Sequence, residues 1–407
     1  MAAMSLSSAL FFAVSSYFVW NYRAELRALA WPRAYLWASG AVFAAAVLSL
    51  ILARIDPPLG IPNAGALELR KLRYFLLPVL VGWAVHRLTR EQGVALENHR
   101  IWKVLFGMTA LIALVACVQY WSIDLFSPEF LKAHDHFFRV AVWGKHAHGQ
   151  GFMGFHLSFA SAMCFSFAYA FARFLWTNPR RKIAAFAAYA ALTALTAVAV
   201  VFSYSRIAVL ALLATAVLLV GFRKPRWTLG ALVGLLGLFA VVWFASPDLR
   251  LRFLDRPGWN ERAQLYRNAW GMFVDRPWSG VGFAKSGQYA DAYAERLYGV
   301  NTAFGSHAHN NLLDALATTG IPGGLAYLAW WLVLLCYSVR SYQRAKAGEQ
   351  WLPAALFAAG IAFQVNGLTQ VNFYDAKSQH ALVLWAGLIL ALRIREGNLS
   401  RGVRKAA

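Results

Sequence analysis

The sequence predicts an all-α polytopic integral membrane protein of about 11–12 transmembrane helices, with a large helical loop between spans. Two observations predict it. Of 407 residues, 59% are hydrophobic and only 14% are charged, too few charges to cover an ordinary water-soluble surface. Apolar runs of the ~17–25 residues needed to cross a hydrocarbon core also recur between residues 6 and 392. The runs recur along nearly the whole sequence, so 1–407 is expected to form a single integrated membrane domain.

Breaks at charge, Pro and Gly place eleven spans near 5–20, 35–53, 74–88, 102–121, 151–175, 183–203, 206–222, 227–245, 310–340, 351–371 and 379–395. The first run lacks a basic leader and a small-residue cleavage site, and charge follows it at Asn21-Tyr22-Arg23. It is expected to be a retained helix and not a signal peptide. The ninth run is interrupted by Gly320-Ile321-Pro322-Gly323-Gly324; proline removes a backbone donor there and glycine loosens the helix, so a break could raise the count to twelve. Cys117, Cys164 and Cys336 lie in apolar runs without Cys-x-x-Cys spacing. They are expected to fill the core.

Short loops rich in Lys and Arg stay cytoplasmic. Arg173 with Arg180-Arg181-Lys182, Arg223-Lys224-Pro225-Arg226, 340–346 and 393–405 are such segments. Alternation from an inside C-terminus leaves 54–73, 122–150, 246–308 and 372–378 outside, with 246–308 the large external loop and 122–150 a smaller amphipathic segment. On this topology 22 of the 39 basic residues lie inside and 17 outside, many for a side that the rule depletes. A long loop translocates whatever its charge, which accounts for Arg250, Arg252 and Arg256. It accounts less well for Arg139, Lys145, Arg206 and Arg262 beside the membrane.

The stretch Ser306-His307-Ala308-His309-Asn310-Asn311 opens the broken ninth helix. Asn310 or Asn311 suits an N-cap, which puts the His309 imidazole at the outer surface. A histidine at a helix start also serves as a capping or interfacial residue, and Arg206 at a helix end can snorkel. Arg139 and Lys145 share an amphipathic stretch with Phe130, Leu131, Phe137 and Phe138 that suits lipid phosphates. Arg262 can pair locally with Glu261 or Asp255. His134-Asp135-His136 and His146-Ala147-His148 fix no converging geometry for zinc, and no Asp-x-Asp pair occurs. No metal and no cofactor are expected. In the large loop Ala263, Tyr266, Trp270 and Phe273 recur at helical spacing, which predicts that Trp270 and Trp278 belong to the loop's own core; the loop's aromatics could also stack on sugars. Nucleic acid is not expected as a partner despite the net charge of +21, because the cations are spread over membrane loops.

His309-Asn310, nine residues, then Gly320-x-x-Gly323 resembles the signature of the O-antigen ligase family, within the wider group of O-antigen ligases, O-antigen polymerases and related bacterial glycan transferases. Three further segments resemble it in family order: Phe202-Ser203-Tyr204-Ser205-Arg206; Glu261-Arg262-Ala263-Gln264-Leu265-Tyr266-Arg267, with Tyr266 where Trp is usual; and Pro277-Trp278-Ser279-Gly280-Val281-Gly282-Phe283. The resemblance implies a metal-independent inverting glycosyltransferase of GT-C-like architecture in the bacterial inner membrane, with its active site facing the periplasm. It further implies an undecaprenyl-pyrophosphate-linked glycan donor and a lipid A core acceptor. Arginine binds phosphate oxygens bidentately and stays protonated, which makes Arg206, Arg262 and Arg139, with Lys145, candidates for the pyrophosphate. His309, with an ordinary pKa of about 6.5, is the candidate general base for the acceptor hydroxyl. Polymerase and protein oligosaccharyltransferase share this donor chemistry. A non-enzymatic lipid-linked glycan transporter remains a reading from another class, though it would be expected to show midplane charges and internal symmetry.

Overall fold

The computed structural model describes residues 20–62, 67–134, 142–143, 146–245, 256–299, 307–373 and 375–406. The helices are α1 (Arg23–Ala28), α2 (Arg33–Ile55), α3 (Arg73–Glu91), α4 (Ile101–Tyr120), α5 (Ser122–Leu125), α6 (Pro128–Ala133), α7 (His156–Trp176), α8 (Ile183–Phe202), α9 (Arg206–Arg223), α10 (Thr228–Ala245), α11 (Arg256–Asp275), α12 (Ser286–Tyr298), α13 (Asn311–Arg344), α14 (Trp351–Asn366) and α15 (Ala376–Ala406). A two-residue antiparallel ladder, β1 (Val142–Trp143) with β2 (His146–Ala147), accompanies them. The protein is an all-α multi-pass membrane protein.

The first predicted span lies outside the described residues except for its last position, and each of the other ten runs falls on a helix. Six of these, α2, α4, α7, α8, α9 and α13, are long and apolar enough to cross a membrane. α14 is apolar but has only 16 residues, about 24 Å of helix. Its residues are buried almost all round, as expected of a helix enclosed by others; α7, α9 and α13 pack against it. The predicted end at 371 is corrected to Asn366, where Asn366-Gly367 stops the helix. The fifth predicted span, 151–175, starts late as well: 151–155 is irregular, with positive φ at Gly151 and Gly154, and helix begins at His156.

The predicted break in the ninth span is present, because Gly320 has φ 66° and ψ −167° inside α13. It does not add a twelfth crossing. The segment 311–319 is about 13 Å long, less than half a hydrocarbon core, and only the segment beyond Gly320 can cross.

Aromatic side chains form much of the core. Trp331 stacks on Phe363 with centroids 5.4 Å apart and lies 4.8 Å from Trp385. α3 and α15 approach through small residues: a side chain on Gly82 would meet Leu390 Cβ at 2.8 Å, and one on Gly387 would meet Val81 Cγ1 at 2.4 Å. Close backbone contact of this kind is how helices associate where lipid supplies no hydrophobic drive. Of the cysteines, Cys164 is buried and Cys336 is exposed, so the expectation of a core role fails for Cys336, which lies on an outer face of α13.

The segments between helices segregate to two ends. At one end Asp56 pairs with Arg276 at 2.8 Å, Gln288 Nε2 donates to Pro62 O, Gly149 N donates to Phe202 O, and Asn311 N donates to Gly367 O. At the other, Trp83 Nε1 donates to Glu25, Arg395 forks onto Glu97 with two 2.8 Å bonds, and Tyr342 OH donates to Phe222 O. This is the alternation read from the loops.

Candidate functional site

The first of these ends gathers the motif residues around the start of α13. Asn310 is the N-cap: its Oδ1 accepts from Leu313 N at 2.9 Å, satisfying one of the orphan donors of the first turn. Its Nδ2 donates to Leu368 O at 3.2 Å. Asn311 joins the same loop, donating through Nδ2 to Asn372 Oδ1 at 2.6 Å and through its backbone to Gly367 O at 2.8 Å. Gly367 must lack a side chain, since a Cβ there would lie 2.2 Å from Asn311 Nδ2.

His309 stands just before this cap with φ 46°, a left-handed backbone that costs a non-glycine residue energy and tends to cluster at functional sites. Its Nδ1 lies 2.7 Å from Gln370 Oε1. A carbonyl oxygen can only accept, so Nδ1 carries the proton and Nε2 presents the lone pair. The ring lies 4.7 Å from that of His307. Burial, with further contributions from His307 and Arg262, holds the His309 pKa down to about 4 against the opposing bond to Gln370. The imidazole is therefore a neutral base at pH 7. Burial and Lys71 likewise lower His307.

Arg262 reaches this site through helix geometry. Tyr266 OH donates to Leu368 O at 2.7 Å, the same oxygen that Asn310 uses, and Arg262 is one turn earlier on the same face of α11. Its charge acts on both Tyr266 and His309. The structure thus brings Arg262, His309 and Asn310 together.

Arg206, the first residue of α9, is buried at 9% exposure and does not snorkel outward. Tyr204, in the turn before it, has φ 54°. α9 packs along α14, and Cys164 Sγ links them, 3.8 Å from Ala208 O and 3.4 Å from Asn366 Nδ2. Arg206 is therefore level with Asn366, where the loop that holds His309 begins. Arg139 and Lys145 lie outside the described residues, as do Asp135 to Phe138.

The broken helix and the Pro-x-x-Gly-x-Gly turn form one unit. Pro322 has no N–H for Thr318 O, and Ile321 N turns away to Pro277 O at 2.7 Å. The carbonyls released, Ala317 O and Thr318 O, accept instead from Val281 N at 2.9 Å and Gly282 N at 3.0 Å. Two glycines permit the contact: a Cβ on Gly280 would lie 2.3 Å from Thr318 C, and one on Gly320 would lie 2.6 Å from Pro277 O. Gly323 leaves room for the Thr319 side chain.

The core beneath α11 and α12 is Leu265, Ala269 and Met272 against Tyr289, Ala290 and Tyr293. Trp270 and Trp278 are 54% and 70% exposed, which corrects the expectation that they fill it. The aromatic stripe suggested the period, but the buried stripe is the adjacent one, where small and flexible side chains fit against two tyrosines.

Sequence reasoning missed Gln370, which it placed within the tenth span; the polar run from Asn366 to Asn372 was the available signal. It also missed a cavity of about 530 Å³ beside Gln370 and His307, lined in addition by Lys71, Phe155, Ser286, Asp314 and Asp375. His309 adjoins this cavity through those two residues and is not in its wall. Asp314 is 1% exposed; Ser286 Oγ donates to its Oδ1 at 2.5 Å, while its Oδ2 has no hydrogen-bond partner among the described residues. Among the described residues no three His, Cys, Asp or Glu side chains converge.

Residues 190–328, about a third of the chain, match the family model for O-antigen ligase. The teichuronic acid biosynthesis protein TuaE of Bacillus subtilis (strain 168) is 29% identical over 136 residues, a match that covers 32% of this chain and 27% of that relative. The chain thus spans about a quarter of the length of the curated relative it matches. Arg206, Arg262, His309 and the Gly320 break all fall inside the match to the O-antigen ligase family model, and Arg139 and Lys145 precede it.

Proposed function

We propose that the protein is an O-antigen ligase of the bacterial inner membrane. It transfers polysaccharide from undecaprenyl pyrophosphate to a sugar hydroxyl of the lipid A core, at a site facing the periplasm beside the external loop 246–308. The observation that carries this reading is a neutral imidazole, fixed through Nδ1 by Gln370, under the influence of Arg262 and within the family-matched segment. The acceptor oxygen attacks the anomeric carbon as the bond to the pyrophosphate oxygen breaks, and the acceptor proton passes to His309 Nε2. The leaving pyrophosphate takes the electron pair and meets Arg262 and Arg206, with Arg139 and Lys145 as further candidate contacts. Fixed positive charge aimed at a leaving group is commonly the largest catalytic contribution, and a pyrophosphate needs no general acid. One in-line displacement inverts the anomeric centre.

A growing glycan chain is the second acceptor class, making the protein a polymerase; the name of the relative, which refers to teichuronic acid and not to O-antigen, favours keeping it. The test is transfer by purified protein in EDTA, with undecaprenyl-pyrophosphate glycan as donor and lipid A core as acceptor. The ligase reading expects glycan-bearing lipid A from the wild type and about 10²–10⁴-fold less from His309→Ala. Chain extension without a lipid A product would identify the polymerase. Full transfer by a folded His309→Ala protein would remove the base.

A further inference from the structure

The end of the bundle opposite His309 holds a second cavity, of about 380 Å³. Three helix termini surround it at one level: α7 ends at Trp176, α8 begins at Ile183 and α9 ends at Arg223. Phe174, Leu175, Phe186 and Val220 give it an apolar wall, and Arg223 and Lys224 line it with charge. Both cations are exposed. Arg223 is held by its own contacts: Nε donates to Leu175 O at 3.3 Å and the guanidinium lies 5.4 Å from the Trp176 ring centre. Its terminal nitrogens have no hydrogen-bond partner among the described residues.

The segments that line this cavity carry no acid of their own. The sequence from 136 to 247 contains no Asp or Glu, and Arg180, Arg181, Lys182, Arg223, Lys224 and Arg226 make no ion pair among the described residues. An apolar pocket at the termini of membrane-crossing helices lies at the boundary between acyl chains and headgroups. Cations at that depth face phosphate, and basic pockets between helices are a recognised form of headgroup site. A soluble anion would have no use for the aromatic and aliphatic wall.

We propose that this cavity binds one anionic phospholipid, with its phosphate against Arg223 and Lys224 and an acyl chain against Phe174, Phe186 and Val220. The site is separate from the proposed transfer chemistry and does not depend on it.

The test is native mass spectrometry of the delipidated full-length protein titrated with phosphatidylglycerol or with phosphatidylcholine of the same chains. Phosphatidylglycerol is expected to bind at least about tenfold more tightly, and Arg223→Gln/Lys224→Gln to weaken it about thirtyfold. Lys224→Glu, at an exposed side chain without a contact to lose, should weaken it without lowering thermal stability in detergent. Arg100→Gln/Lys103→Gln removes the same charge from exposed positions at the same end and should leave binding unchanged. Equal binding of the two lipids would overturn the proposal, as would an equal loss in the Arg100/Lys103 pair, which indicates diffuse attraction. Displacement of the lipid by millimolar glycerol phosphate would overturn it in favour of a soluble phosphate.

Discussion

The surroundings that keep His309 neutral are also those that would receive an anion. Burial and the nearby Arg262 hold its pKa at about 4, so the protonated form appears only as pH falls through that value. If His309 is the base, kcat/KM is expected to stay level from pH 8 to about 5 and to fall near 4, where an ordinary histidine would give a limb near 6.5. A bound pyrophosphate adds negative charge and raises the pKa, so the acid limb of kcat should lie above that of kcat/KM. Gln370→Glu keeps an acceptor for Nδ1 and adds a charge, and should move both limbs upward. Profiles of the wild type and this variant between pH 3.5 and 8 check both statements, and a wild-type kcat/KM limb at 6.5 would contradict them. His309 itself was legible in the sequence because its neighbours Asn310, Gly320 and Gly323 follow at fixed spacing. Gln370 was not legible, because it is 61 residues away and only the folding of the loop after α14 brings it to the imidazole.

At the scale of elements, the break in α13 was readable from Gly320 and Pro322, but not that another part of the chain would repair it. Ala317 O and Thr318 O are supplied from 281 and 282, and two motifs that look independent in sequence are two sides of one contact. This arrangement predicts unequal glycines. Gly320→Ala adds about 1–3 kcal/mol of backbone strain in a region of φ and ψ that is essentially glycine's alone. Its Cβ also meets the backbone at Pro277 O, which cannot retreat without losing the Ile321 bond. Gly324→Ala meets Leu316 Cδ2 at 2.5 Å, the mobile end of a side chain. Thermal unfolding in detergent should show a large loss for Gly320→Ala and a small one for Gly324→Ala, with Leu316→Ala/Gly324→Ala relieving the clash. Equal losses at 320 and 324 would mean that the turn does not brace the break. The mistaken reading of Trp270 and Trp278 belongs to this scale too, since helical spacing identifies a stripe but the small residues opposite decide which stripe is buried.

Across the whole molecule the sidedness of the loops was the most legible feature, because it depends on counting charges between apolar runs and not on any particular contact. The segments assigned inside hold 22 basic and 5 acidic residues, and those assigned outside hold 17 and 13, so nearly all of the net charge of +21 belongs to one end. Among the described residues the cross-loop ion pairs join segments assigned to the same end, as Asp56 does with Arg276 and Glu97 with Arg395. The count of crossing helices was less legible: α3 carries Arg73, Arg87, Arg90 and Glu91, and α14 is short, so hydropathy alone ranks them with helices of a different kind. The charge asymmetry makes a direct prediction for orientation. In a variant with Cys117, Cys164 and Cys336 replaced by Ser, Gln288→Cys should react with a membrane-impermeant maleimide added outside spheroplasts. Arg181→Cys should react only after the membrane is opened, since a positively charged loop is retained on the cytoplasmic side. The opposite labelling order would put His309 and the cavity beside Gln370 in the cytoplasm, out of reach of the periplasmic acceptor that the proposed function requires.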